Sequence, residues 1–376
     1  MKHSKIQSYS LINPKEIKES ALKWKKEHEN GGFIILLPEN EKKYIKQFQK
    51  IFSDISMPFV GFLFPQIIIE NKFLSTGLVI VQFDTMPYYF IQKYLSDDEI
   101  EYTFQMKEVY NQLKEKLKTQ KAYSLFIIFD ALVPKISSML SELFILIGDR
   151  VTYTGVCCGS ESFKPVDCIF TADKFYKNSA AFFLLEDKQK NILVHDYHVP
   201  KKLITATASS NNTVTSIDWQ PAFDVYSKMA EEYYNVKITS SNFYEHAVHF
   251  PFGLIKADKS AIVRIPVALQ NNKSIVCVGE IRENSFLTLL KAPDINKKEA
   301  VKIIAKQIKP KDNALLFYCA GRRMHFQDSA VSELETLTKL SSNEKISGAL
   351  SLGEIGSLKN NNFPEFHNGA IVSMLL

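Results

Sequence analysis

Apolar and polar positions follow two rhythms along this chain. Asn13-Pro14 followed by Glu16, Leu22 and Trp24 predicts a capped first helix, ended by Gly31-Gly32. The unbroken apolar run at 33–37, stopped by Pro38, predicts a buried strand. Residues 39–52 read as a second helix, and 60–64 and 77–81 as strands. This order of helix, strand, helix, strand predicts an α/β opening. Ser96-Asp97-Asp98-Glu99 reads as a capping box. The helix behind it carries Ile100, Phe104, Leu113 and Leu117 on one apolar face. A strand at 123–129 and a helix at 135–147 follow.

From Val151 the rhythm changes. Short strand-like runs at 151–159, ending in glycine, and at 168–170, 180–185 and 192–194 are separated by turn residues such as Lys177-Asn178 and Glu186-Asp187. That predicts antiparallel sheet, hence an α+β protein of two packed domains, each with a mixed, largely antiparallel sheet flanked by helices. The turn at Asn211-Asn212 and the helix after Pro221 mark the join. The divisions are an N-terminal tail at 1–14, a first domain at 15–215 and a second at 216–376. In the second, strands are predicted at 261–269, 274–281, 286–290 and 314–319, helices at 297–306 and 329–340, and two strands close the chain.

Composition narrows the classes. The chain has 376 residues, 45% of them apolar, with 27 Phe and 16 Tyr, which suits filled cores and not disorder. A net charge of +5 is spread thinly over lysines, with no basic stripe for nucleic acid. Cys157, Cys158, Cys168, Cys277 and Cys319 make an odd count, the N-terminus lacks the apolar core of a secretory leader, and no apolar run reaches the ~18 residues that span a bilayer. The expectation is a cytoplasmic protein with reduced thiols. G-x-x-x-x-G-K-[ST], G-x-G-x-x-G and G-x-S-x-G are all absent from the sequence, which removes the commonest nucleotide and serine-hydrolase chemistries.

Candidate chemistry concentrates in the second half. Gly353-Glu354-Ile355-Gly356 and Phe366-His367-Asn368-Gly369 would bring a carboxylate, an imidazole and a carboxamide to adjoining strand ends. Arg264 sits inside an apolar run, so it is either wet or paired, with Glu280 and Glu354 as candidate partners. Cys319 precedes Arg322, Arg323 and His325, an arrangement that would lower a thiol pKa; the plainer alternative is a buried strand-end thiol, with the arginines binding an anion. His195 and His198, and His246 and His249, are spaced by three but lack the partners of a zinc site. One imidazole suffices for an axial haem ligand, and the absence of C-x-x-C-H excludes covalent attachment.

Taken in order, several segments resemble the FIST family. They are His249-Phe250-Pro251-Phe252-Gly253-Leu254, Val263-Arg264-Ile265-Pro266, Gly279-Glu280, Cys319-Ala320-Gly321-Arg322-Arg323, Gly353-Glu354-Ile355 and Phe366-His367-Asn368-Gly369. In the first half, Thr154-Gly155 with Gly159, Val194-His195-Asp196 and the stretch from Ile217 to Tyr226 are similar to that family. The resemblance implies a bacterial sensory protein that binds a small ligand, is not an enzyme and acts through a separate partner, a histidine kinase of a two-component system or a cyclic-di-GMP enzyme, with a homodimer open to it. One branch, the NosP-type proteins, implies haem and nitric oxide sensing, with His195, His249 and His367 as candidate axial ligands; the other implied ligand class is amino acids. Ligand contacts are expected from Arg264, Cys319, Arg322, Glu354, His367 and Asn368. A cysteine-dependent enzyme using Cys319 with His325 or His367 is the alternative from another class.

Overall fold

The computed structural model describes residues 4–118, 121–186, 191–358 and 362–376. The helices, in chain order, are α1 (Pro14–Glu27), α2 (Ile45–Asp54), α3 (Glu99–Leu113), α4 (Ile136–Ile147), α5 (Ala222–Tyr234), α6 (Phe243–Ala247), α7 (Glu299–Ala305), α8 (Ala320–Phe326) and α9 (Val331–Ser341). Among the described residues the strands arrange into four sheets, so the α+β expectation holds. In the first, the strands run Ser4–Tyr9, Leu78–Phe83, Gly32–Pro38, Phe59–Phe64, Ile169–Thr171 and Phe175–Tyr176, with α1 and α2 on its core. Ser4–Tyr9, expected as tail, is thus an antiparallel edge strand against Leu78–Phe83.

Two further sheets draw strands from both halves of the chain. One runs Glu365–His367, Glu354–Gly356, Val151–Cys158, Tyr123–Asp130, Ala180–Glu186 and Tyr88–Gln92. The other runs Asn191–Val194, Ile371–Leu375, Ala314–Cys319, Ser347–Ser351, Ile67–Ile69 and Lys72–Leu74. Both pack face to face on the first sheet, where Phe62 meets Phe183 and Phe64 meets Phe317 with ring centroids 6.1 and 5.8 Å apart. Strand parity sorts the rest: Phe126 and Ile128 face this shared core, while Leu125, Ile127 and Phe129 face α3 and α4. Likewise Leu315 and Phe317 face inward, and Leu316 and Tyr318 face α7 and α9. Burial on both faces explains the near-continuous apolar runs seen in the sequence. Each such Phe adds about 1.5–3 kcal/mol.

The fourth sheet is antiparallel, has a core of its own and is covered by α5 and α6. The run expected as one strand at 261–269 is divided: Ala261–Arg264 pairs with Phe252–Ile255, and Pro266–Leu269 pairs with Ile275–Cys277. The break puts Arg264 at a strand end.

Two local readings change at α3. The N-cap is Asp98, which accepts the Glu101 N–H at 3.0 Å, while Ser96 accepts the Asp98 N–H one turn earlier. The buried face is Tyr102, Gln105, Met106, Val109 and Leu113; Ile100 and Phe104 are 83% and 61% exposed. Gln105 decides the rotation, because its carboxamide bonds the Ser96 N–H and the Tyr94 carbonyl and pins that side of the helix inward. The Glu186-Asp187 turn lies partly outside the described residues.

Candidate functional site

Gly279 holds φ +90°, and a Cβ there would lie 2.7 Å from the Phe366 ring and 3.1 Å from the Arg264 Nε. Only glycine lets these three groups meet. Arg264 is fully buried. Its Nε donates to the Glu280 carbonyl at 3.0 Å, Nη1 to the Phe366 carbonyl at 2.8 Å and Nη2 to the Ser137 hydroxyl at 3.0 Å. The cation is held mainly by carbonyl dipoles, and burial lowers its pKa to about 10. The Glu280 carboxylate goes elsewhere: it accepts the Ser138 N–H at 3.0 Å and the Ser138 hydroxyl at 2.6 Å. Helix α4 has no side-chain cap of its own, so the second half of the chain caps a helix of the first. Over this seam lies a cleft of about 220 Å³ lined by both halves, among them Val133, Lys135, Asn211, Val278, Glu280 and Phe366.

Next to Arg264 the seam is sealed. Asn368 accepts the Ile265 N–H at 3.3 Å. The His367 Nε2 faces the Glu365 carboxylate at 3.3 Å, and Glu365 pairs with Lys256. Burial, Arg264 and Lys256 together push His367 down to about 3. His195 Nε2 donates to the Ala261 carbonyl at 2.8 Å, and burial with His367 pushes it down to about 4. The two rings are 6.0 Å apart, and each Nδ1 has no hydrogen-bond partner among the described residues. Glu354 accepts the Ser351 hydroxyl and, at 3.2 Å, the Ala370 N–H; burial raises its carboxyl to about 8. Cys319 accepts the Gly369 N–H through sulfur at 3.0 Å. Burial and the Glu354 carboxylate push this thiol up, the reverse of what a nucleophile needs.

Helix α8, absent from the sequence-based element list, separates two adjacent arginines. Arg322 points inward. Its Nε and Nη2 form a bidentate pair with Glu333, both at 2.8 Å, and Nη1 meets Asp196 at 2.7 Å. The Tyr318 hydroxyl also donates to Glu333. Burial opposes the guanidinium charge, but Glu333 outweighs it and holds the pKa above the usual arginine range. All three nitrogens are engaged, so Arg322 is a structural ion pair in this fold rather than a free anion binder. His249, expected with the other haem candidates, lies apart, its Nδ1 against that of His325.

Arg323 points outward, 23% exposed, over the Phe73 ring at 5.3 Å. Nη2 reaches the fully exposed Asp328 at 3.3 Å, while Nε is buried without a partner among the described residues. It overlooks a cleft of about 540 Å³ lined by Glu39, Gln66, Ser75, Glu161, Arg323 and Gln327, again from both halves. Glu161 sits at the rim, open to solvent on one side. Desolvation by the walls raises its carboxyl, Arg323 opposes this, and Glu39 adds to it. Gln327, at φ 51° and ψ −131°, is a non-glycine residue in a sparsely populated region. The sequence reading missed Glu39, Glu161 and Gln66 here, and Glu333, Tyr318 and Asp196 beneath; Asp196 adjoins the singled-out His195, the only local signal.

The candidate residues therefore divide. Arg264, Cys319, Glu354, His367 and Asn368 come together as a buried seam, Arg322 braces α8, and the solvent-reaching clefts belong to other side chains. Among the described residues, no group of three or more His, Cys, Asp or Glu could hold a metal ion. A haem needs an apolar slot with an axial imidazole in its wall. Neither of these two clefts has a histidine in its lining, and His195 and His367 lie buried within the seam. No helix among the described residues is long and apolar enough to cross a membrane.

Halves joined through common sheets, with clefts on the seam between them, form an architecture suited to holding a small molecule. Residues 33–220 match the FIST N domain and residues 222–357 the FIST C domain. The chain belongs to the FIST family, whose domains are associated with sensory signal transduction and small-ligand binding. No curated protein matches it.

Proposed function

We propose that this protein is a sensor whose ligand is an amino acid held in the cleft beneath Arg323. The observation that carries this reading is the pairing of charges there: one guanidinium with an unpartnered buried Nε faces two carboxylates, Glu39 and Glu161, across a space of about 540 Å³. Arg323 would take the carboxylate, the glutamates the ammonium, and Gln66 and Gln327 a polar side chain. A ligand spanning the cleft touches both halves and favours one arrangement of them, which a separate partner, such as a histidine kinase or a cyclic-di-GMP enzyme, would read. Thermal shift against the twenty amino acids tests it: binding raises Tm, by an amount set by concentration over Kd. Arg323→Gln should abolish the shift. No shift with any of the twenty would overturn the reading.

A haem-based nitric oxide sensor is the second reading, favoured only by the unpartnered Nδ1 atoms of His195 and His367. It requires the seam to open. A Soret band after haem supply, lost in His195→Ala or His367→Ala, would promote it. Thiol chemistry at Cys319 is the third, opposed by the raised thiol pKa.

A further inference from the structure

We infer that the outer face of α3 is the docking surface for a partner, and that the partner presents a basic amphipathic helix. Ile100 and Phe104 lie one turn apart, at i and i+4, so their exposed side chains adjoin on one strip of the helix. Beside the strip stand the exposed Asp97, Glu99, Glu101 and Glu108, while Lys107, three residues beyond Phe104, lies on the strip itself. The whole chain carries +5, so this acidic surround is local and opposite in sign to the molecule. An apolar anchor pair inside an acidic rim is complementary to apolar residues flanked by Lys or Arg. A second copy of this chain docking α3 on α3 would bring the two acidic rims together, which disfavours that occupant.

Position links this surface to the seam. On the inner face of α3, Tyr102, Met106 and Val109 pack in one core with Met139, Leu140 and Leu143 of α4, the helix that carries Ser138. Ser138 in turn donates to Glu280 and accepts from Arg282, both from the second half. The anchor helix therefore packs directly on the helix that the second half contacts. The inference goes beyond the ligand reading and stands without it.

The test uses the full chain and a fluorescein-labelled 18-residue Lys/Leu amphipathic helix, with a scrambled peptide of the same composition as control. Fluorescence anisotropy should show the amphipathic peptide binding more tightly than the scrambled one, and weakening as salt rises. Ile100→Ser with Phe104→Ser, both at exposed positions, should cut the affinity about tenfold or more. Glu99→Lys with Glu101→Lys should slow association and flatten the salt dependence. Equal binding of both peptides, no binding of either, or unchanged affinity in the serine variant would overturn the inference. So would self-association in sedimentation that the serine variant abolishes, since the occupant would then be a second copy.

Discussion

Arg322 and Arg323 are neighbours in sequence and opposites in circumstance. One is sealed among Tyr318, Glu333 and Asp196 with each nitrogen engaged; the other overlooks a cleft with Nε unpartnered. A helix advances about 100° per residue, so one of two consecutive arginines can brace the fold while the next faces a ligand. The lesson is that a shared motif divides its labour by direction. The inner charge fixes where α8 sits, and so fixes where the outer charge points.

Glu333→Ala offers the hardest break of this contrast. It removes two of the three charged contacts of a buried guanidinium, leaving only Asp196, and should cost about 3–5 kcal/mol in urea unfolding. Arg323→Ala, by comparison, should cost under about 1 kcal/mol. Similar losses for the two would erase the distinction between brace and cleft.

Proton linkage sharpens it next. The Glu354 carboxyl is raised from 4.5 to about 8, so the folded state keeps a proton that the unfolded chain releases. Its contribution is complete below about 4.5 and is lost as pH climbs through about 8. His195 and His367 are lowered from 6.5 to about 4 and about 3, so their contribution is present above 6.5 and is lost as pH falls toward those values. Urea midpoints should therefore decline on both limbs. Glu354→Gln should flatten only the alkaline one, by on the order of a few kcal/mol. An unchanged alkaline limb would remove Glu354 as its source.

Gly279→Ala should cost about 1–3 kcal/mol, from positive φ and from the clash with Phe366 and Arg264. A neutral effect would mean that the seam yields there. The smallest expected change is at α3, where Ile100→Ser and Phe104→Ser should each stay within about 0.5 kcal/mol of the parent. A loss of 2 kcal/mol or more, the scale of a core position, would return those residues to the interior.

What the letters disclosed follows from range. Runs such as 33–37 and 314–319 announce doubly buried strands, and Asn13-Pro14 announces a cap, because the cause lies within a few residues. The face of α3 was misread because Gln105, a polar residue, is buried by bonds to Ser96 and Tyr94, and apolar periodicity does not register such a residue. Helix α8 has only seven residues and shows no readable period. Arg264, Glu354, His367 and Asn368 were expected to converge, and they do lie along one seam. Their partners, Ser137 for Arg264 and Ala370 for Glu354, are set by pairing between distant strands, which spacing does not encode.

The strand Glu354–Gly356 completes a sheet whose neighbouring strand, Val151–Cys158, precedes it by roughly 200 residues, so at ~5–20 residues per second a ribosome takes about 10–40 s to deliver the missing edge. Through that interval the nascent chain carries an unpaired apolar border open to other polypeptides. Severing the gene between its two domains should therefore yield two fragments with unpaired strand edges in place of two modules.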